Sequence, residues 1–291
     1  MGDVFFSVVV PCYNVENNII PTLTSLTNQT FKDFEIILVN DGSKDGTLNI
    51  LKSYPAKVKK VVVDQQNKGL GGARNSGVKA SSGKYIALLD GDDIWEPEKL
   101  SVIYNYLKGK DIDLICHNEF MVDARNKLLR KNYYGPYVEY EDILFKGNCL
   151  SPSAVTVKKE VFDRVGLFNE DRKMFGLDDY DMWLRMAFAR IQFVYVNDFL
   201  GNYVIHGTNM SRAFSFFKIE EKIILLYSLK VEMTTSIMWK LRKRLLIFYL
   251  IKLKGAISTN YYSYLPVFFK DTMDLFFATD FISQRLKKLD A

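Results

Sequence analysis

Tyr85-Ile86-Ala87-Leu88-Leu89-Asp90-Gly91-Asp92-Asp93 is an apolar run closed by three carboxylates around one glycine. An apolar run of this length reads as a strand buried on both faces, as in a parallel sheet. The acids then stand at the carboxyl end of a strand, where open α/β sheets bind ligands. In an extended backbone Asp90 and Asp92 share one side, and Gly91 lets a ligand approach the main chain. Adjacent carboxylates repel unless a cation joins them, and a divalent ion that also grips a diphosphate meets that need.

The flanking sequence alternates strand and helix signals, the signature of βαβ units. Strands are expected over Phe5–Val10 (stopping at Pro11), Glu35–Asn40, Val58–Asp64, Tyr85–Leu89 and Asp113–Cys116. Helices are expected over Glu16–Asn28, from a cap at Asp45 through Leu51, over Leu70–Ala80, and from Pro97 through Leu107. The middle is less regular. Its expected elements are a helix over Val138–Phe145, a strand over Ser153–Val157, a helix over Lys158–Val165 ended by Gly166, a helix over Asp179–Ala189 and a strand over Ile191–Val196.

Beyond about Ser211 the pattern turns wholly helical. Phe216, Ile219, Ile223 and Leu226 repeat on one face, as do Ile237, Leu241, Leu245 and Phe248 opposite Lys240, Lys243 and Arg244. The division expected is therefore residues 1–211 as an α/β domain and 212–291 as a helical region. From Arg212 onward there are 14 basic and 7 acidic residues, against 25 and 27 before it. The tail is the basic element, and its readings are packing, self-association through the helices, or peripheral contact with an anionic membrane.

Composition is globular, with 48% hydrophobic and 25% charged residues. Cys12, Cys116 and Cys149 are odd in number and widely spaced, which argues against a disulfide framework or zinc site and for a reducing, cytoplasmic compartment. No secretory leader is expected, and the longest strongly apolar run, Leu245–Ile251, is far below the ~20 residues of a spanning helix. The basic residues avoid the sheet motifs, so nucleic acid is not an expected partner.

Each remaining motif has a bland and a functional reading. The stretch from Val9 through Pro11-Cys12-Tyr13-Asn14 marks a strand-to-loop turn without the glycines of a dinucleotide site. Asp41, before Gly42, accepts a base N–H or merely closes a tight turn. Asn67 to Asn75 is Gly-rich, which serves close helix packing or anion binding at a helix start, and Arg74 adds a fork for phosphate or a base carbonyl. Asp178-Asp179 is a dipole-favoured helix start with solvated acids, or it holds a general base. His117 reads as structural. His206 reads as a metal ligand, a phosphate contact or loop packing.

In their fixed order, Pro11-Cys12-Tyr13-Asn14, Asn40-Asp41-Gly42-Ser43, Gly69 to Asn75, Asp90-Gly91-Asp92-Asp93 and Asp178-Asp179 resemble the family 2 glycosyltransferases of the GT-A fold. The resemblance spans roughly Ser7 to Ser211. It implies an α/β fold with a mixed, mainly parallel sheet flanked by helices, and a helical C-terminal extension. It also implies inverting transfer from a nucleotide-diphosphate sugar, preferably a UDP-sugar, to a glycan, lipid-linked glycan or glycoprotein. Asp41 matches the base contact, Asp90 the ribose contact, Asp92 the ligand of Mg²⁺ or Mn²⁺, with His206 as a second ligand, and Asp179 the catalytic base beside Asp178. Pro11, Tyr13, Asn14, Asn67, Gly71, Arg74 and Gly91 fall at the nucleotide-sugar site.

Two positions depart from the family pattern: Asp178 stands where Glu is common, and Val204 where Arg often precedes the histidine. Alternatives from other classes are a sugar nucleotidyltransferase, which lacks support because Pro11–Asn14 is no phosphate loop, and a non-catalytic nucleotide-sugar-binding scaffold.

Overall fold

The computed structural model describes residues 4–137, 139–171, 174, 176–207, 217–258, 265–277 and 281–287. Val138, Phe216 and the expected boundary between Ser211 and Arg212 lie outside them. By its contacts the chain forms two units, Met1–Tyr140 with Cys149–Asn209, and Glu141–Asn148 with Met210–Ala291.

The first unit begins β1 (Phe6–Cys12), α1 (Ile19–Thr27), β2 (Phe34–Asp41), α2 (Thr47–Ser53), β3 (Lys60–Gln65), α3 (Gly69–Ala80) and β4 (Tyr85–Leu88). The short helix α5 (Tyr140–Lys146) belongs from Glu141 onward to the second unit, and the first unit reaches it through β5 (Ile94–Trp95), α4 (Lys99–Leu107), β6 (Leu114–Asp123) and β7 (Leu128–Asn132). The unit closes with β8 (Val155–Lys158), α6 (Val161–Val165), α7 (Asp178–Phe188) and β9 (Phe193–Ile205).

The sheet runs β3-β2-β1-β4-β8-β6-β9-β5, with β7 paired to β6. Strands β1 to β4 are mutually parallel, β8 is antiparallel to both β4 and β6, and β6 and β9 are parallel again. The mixed sheet flanked by helices is the fold class expected. Strands β1, β2 and β4 are buried at every position, which is why they read as unbroken apolar runs. Phe6, Val8, Val10, Ile36, Leu38, Tyr85 and Ala87 form one core with Ile19, Leu23 and Leu26 of α1.

Several boundaries differ from the sequence reading for physical reasons. Strand β1 continues through Pro11 to Cys12. Proline is tolerated there because the β1–β4 pairing has ended at Val9–Leu88, so no ladder donor is lost on that side. Strand β6 extends to Asp123 and returns as the β6–β7 hairpin, turning at Asn126 with φ 61. Strand β9 runs to Ile205, well past Val196, because after a register shift β6 pairs with it again from Phe199 to Ile205 and β5 covers Asn202 and Gly201. Helix α6 covers only Val161–Val165 and ends at Gly166, φ 79.

The second unit holds α8 (Phe217–Ser228), α9 (Thr235–Ser258), α10 (Leu265–Phe277) and α11 (Phe281–Lys287). Ile237, Leu241, Leu245 and Phe248 are buried along α9. Arg244 does not share the solvent face with Lys240 and Lys243. It is buried, and its Nη2 meets Glu220 at 3.1 Å. Leu226, expected on an apolar face, is exposed. Arg285 pairs with Asp271 at 2.6 Å, and Tyr249 donates to Glu221 at 2.7 Å. Among the described residues no helix is long and apolar enough to cross a membrane.

Candidate active site

The site is assembled at the carboxyl ends of β1, β2, β4 and β9 and at the start of α7. At the end of β2, Asp41 is buried. Its Oδ1 accepts from Gln65 Nε2 at 2.7 Å and the Lys68 N–H at 2.8 Å, while Asn67 donates to its main-chain carbonyl at 3.0 Å. Asn14, at φ 52, accepts from the Lys44 N–H at 2.8 Å, and its own N–H donates to Ser43 at 3.1 Å. These bonds splice the loop after β1 to the loop after β2, with Tyr13 left 47% exposed. The glycines serve packing. A side chain at Gly71 would run into the Asn169 carbonyl, and one at Gly91 would lie 3.0 Å from the Pro11 carbonyl.

The acids after β4 do not lie along an extended strand. The Asp93 N–H donates to the Asp90 carbonyl at 3.1 Å, so Asp90–Asp93 is a tight turn. Asp90 and Asp92 are nevertheless brought together, close enough to raise the carboxyl of Asp92 above its usual range. Burial is the larger cause and Asp90 the second, with His206 opposing. His206 Nε2 lies 2.9 Å from Asp92 Oδ2. The buried Cys12 thiol is pushed up, chiefly by burial and then by Asp92 and Asp90, which places the end of β1 beneath the same acids.

Arg74 is the joint of the site. The resemblance puts it at the nucleotide-sugar site; the guanidinium is only 2% exposed, and its two Nη atoms bond to carboxylates. Nη1 donates to Asp178 at 2.6 Å, and Nη2 forks onto Asp90 at 2.8 and 3.1 Å. Burial disfavours its charge, yet Asp90, Asp178 and Asp179 outweigh that and hold the cation firmly protonated. Residues 104 apart in sequence are thereby fixed side by side.

A helix-start cluster kept only for its dipole would leave its acids solvated. Instead Asp178 is buried against Arg74, and Asp181 is buried against Arg185 at 2.9 Å. Asp179 alone of the three is half-buried, and its Oδ1 accepts from the Tyr180 N–H at 2.7 Å.

Asp93, the last acid of the turn, faces β9 and the segment before β8. It is buried, accepting from Ser153 Oγ at 2.6 Å and from the Val204 N–H at 3.0 Å. So Val204, at the position where the family often has Arg, contributes a main-chain donor. Burial, then Asp92, pushes the Asp93 carboxyl well up. Behind this turn Glu119 is buried and accepts from Tyr134 at 2.7 Å. Burial pushes Glu119 up to about 7 against the bonds from Tyr134 and Ser151. No motif announces Ser153, Glu119 or Tyr134.

The residues present fit a divalent cation. Asp92 is a carboxylate crowded by Asp90 and Asp93, a repulsion that a cation relieves. Among the described residues no group of three His, Cys, Asp or Glu could hold a metal. A small protein share suits an ion that takes its other ligands from phosphates and water.

This fold and these motifs place the chain among the glycosyltransferases: residues 7–166 match the family described as glycosyl transferase family 2, and the protein belongs to it. It is 30% identical over 244 residues to an uncharacterized glycosyltransferase of Methanocaldococcus jannaschii, covering 81% of this chain and 80% of that one. It is 31% identical over 208 residues to the chondroitin synthase of Escherichia coli, covering 70% of this chain but only 29% of the synthase. Among solved structures it resembles TarS 1-349 of S. aureus in complex with UDP-GlcNAc, with TM-score 0.72 and 21% identity over 98% of this chain and 83% of that one. It also resembles the mannosyltransferase PcManGT of Pyrobaculum calidifontis in complex with GDP-Man and Mn²⁺, with TM-score 0.61 and 14% identity over 99% and 80%.

Proposed function

We propose that this chain is an inverting glycosyltransferase that moves a sugar from a nucleotide-diphosphate donor, preferably a UDP-sugar, to a hydroxyl of a glycan, lipid-linked glycan or glycoprotein. The observation that carries the reading is the Arg74 clamp, which draws the Asp90–Asp93 turn and the Asp178–Asp179 helix start to one guanidinium. The nucleotide-sugar complexes of the solved neighbours support the donor class.

Asp41 sits where a base N–H would be read, and both of its side-chain bonds fall on Oδ1. Asp92 and His206 would hold Mg²⁺ or Mn²⁺, which when bound supplies charge neutralisation for the departing diphosphate. Asp178, held by Arg74 through Oδ2 and buried, positions the helix start. Asp179, the more open acid, accepts the proton of the acceptor hydroxyl. The hydroxyl oxygen bonds to the anomeric carbon as the bond to the diphosphate oxygen breaks, with the new bond on the opposite face.

The three free cysteines favour a reducing, cytoplasmic setting. Peripheral membrane contact or self-association is supported by one exposed face of α9, where Trp239, Ile247, Leu250 and Ile251 stand among Lys243 and Lys254.

The test is Asp179→Asn. Transfer should fall ~10²–10⁴-fold, while UDP affinity with Mn²⁺ stays at the parent value. Parent turnover in the variant would remove Asp179 from the chemistry.

A further inference from the structure

The geometry points to the β6–β7 hairpin as the acceptor-binding surface, and to an acceptor that is an anionic glycan, bearing carboxylate or phosphate on its sugars. The inference rests on the glycosyl-transfer reading and adds the class of its second substrate. Position is the first argument. In the parallel β6–β9 ladder Val122 pairs with Val204 and Asp123 with Ile205, and the next residue, His206, touches Asp92. The hairpin turn therefore starts one residue from the acidic site.

Charge is the second argument. Arg125, Lys127, Arg130 and Lys131 are all exposed within a short hairpin. The acid at its turn, Asp123, accepts from the main-chain N–H groups of Arg125 and Lys127, both at 2.9 Å. Among the described residues none of the four cations forms an ion pair within salt-bridge distance. Cations on an edge strand also discourage edge-to-edge pairing, and that role would account for the charge alone.

It does not account for the apolar surface beside it. Leu128 and Leu129 are each 51% exposed and Tyr133 is 69% exposed. Tyr133 stands edge-on to Phe199 at 5.2 Å, Phe199 stacks on Phe120 at 4.7 Å, and Lys131 lies 5.2 Å from the Phe199 ring. Arg130 Nε donates to the Asn132 side chain at 3.0 Å and Lys131 lies over the Phe199 ring, so both are engaged without holding a carboxylate. An aromatic face beside exposed cations suits a sugar ring, whose C–H face packs on the ring while its anion meets the ammonium or guanidinium.

The test replaces the four exposed cations together, as R125Q/K127Q/R130Q/K131Q, in the full chain. Binding is measured by calorimetry at low and high salt to a hexuronate oligosaccharide, a sugar-phosphate oligomer and a neutral oligosaccharide of equal length. The unsubstituted protein should prefer at least one anionic probe, with affinity falling as salt rises. The variant should bind that probe roughly tenfold more weakly, with UDP binding and acceptor-free donor hydrolysis unchanged. Equal affinity for anionic and neutral probes, or an unchanged variant, overturns the inference. So does a variant that loses only its binding to phosphatidylserine-rich vesicles, which would assign the hairpin to a membrane. Failure of the unsubstituted protein to bind any nucleotide-sugar in the presence of Mn²⁺ would refute the transfer reading, while the oligosaccharide measurements would still judge the surface.

Discussion

Replacing Arg74 by methionine should be costly in a way that depends on pH. The substitution keeps much of the bulk and removes the cation between Asp178, 3% exposed, and Asp90, 27% exposed. Removing one partner of a buried pair costs about 3–5 kcal/mol. The Asp90 contact adds about 1 kcal/mol or less, since solvent screens it. The loss is thus carried by Asp178, whose carboxyl burial already raises despite Arg74. Without the cation it rises further, so the native state holds a proton that the unfolded chain has released. Stability then falls as pH rises through that window, and the deficit should be larger near pH 8 than near pH 5. Adding Asp178→Asn should recover most of it near pH 8, because a neutral amide no longer needs the partner. The assay is urea unfolding in a Trp239→Phe background, where Trp95 and Trp183, both buried in the first unit, report. A deficit below about 0.5 kcal/mol, within ordinary surface effects, would refute the reasoning, as would one equal at both pH values.

Three further outcomes follow from the same geometry. Glu119→Gln should remove a downward slope of stability between pH 4.5 and about 7, where the native carboxyl keeps its proton and the unfolded one has lost it. The gain over the parent should approach about 3 kcal/mol above that window, and parallel unfolding curves across the range would count against it. Gly77→Ala would drive a methyl into the buried Val9 side chain and should cost about 1–3 kcal/mol. Relief by a second change, Val9→Ala, is expected, and simple additivity would dispute the clash. Asp92→Ala should abolish the tightening of UDP binding by Mn²⁺ in calorimetry, and an undiminished metal response would remove Asp92 from the metal site.

The parallel half of the fold was readable because β1, β2 and β4 are buried on both faces and so carry unbroken apolar runs. Strand β9 was readable only at its start. Beyond Val196 it carries Asn197, Asp198 and Gly201, residues that disfavour strands; the first two fall in the register shift between Tyr195 and Phe199, and pairing with β6 resumes at Phe199 and runs to Ile205. The short β5 has no signal of its own at two residues. The acidic motifs stood out because carboxylates after an apolar run are chemically conspicuous. The Arg74 clamp did not, since local spacing carries no information about a partner 104 residues away.

Asp93 binds Ser153 on one side and the backbone of Val204 on the other. The turn that carries it is therefore not a portable cassette. Transplanting Asp90–Asp93 from a relative in order to alter donor preference would bring a buried carboxyl whose two hydrogen-bond donors come from distant stretches of the host. Engineering of this loop has to move all three stretches as a set.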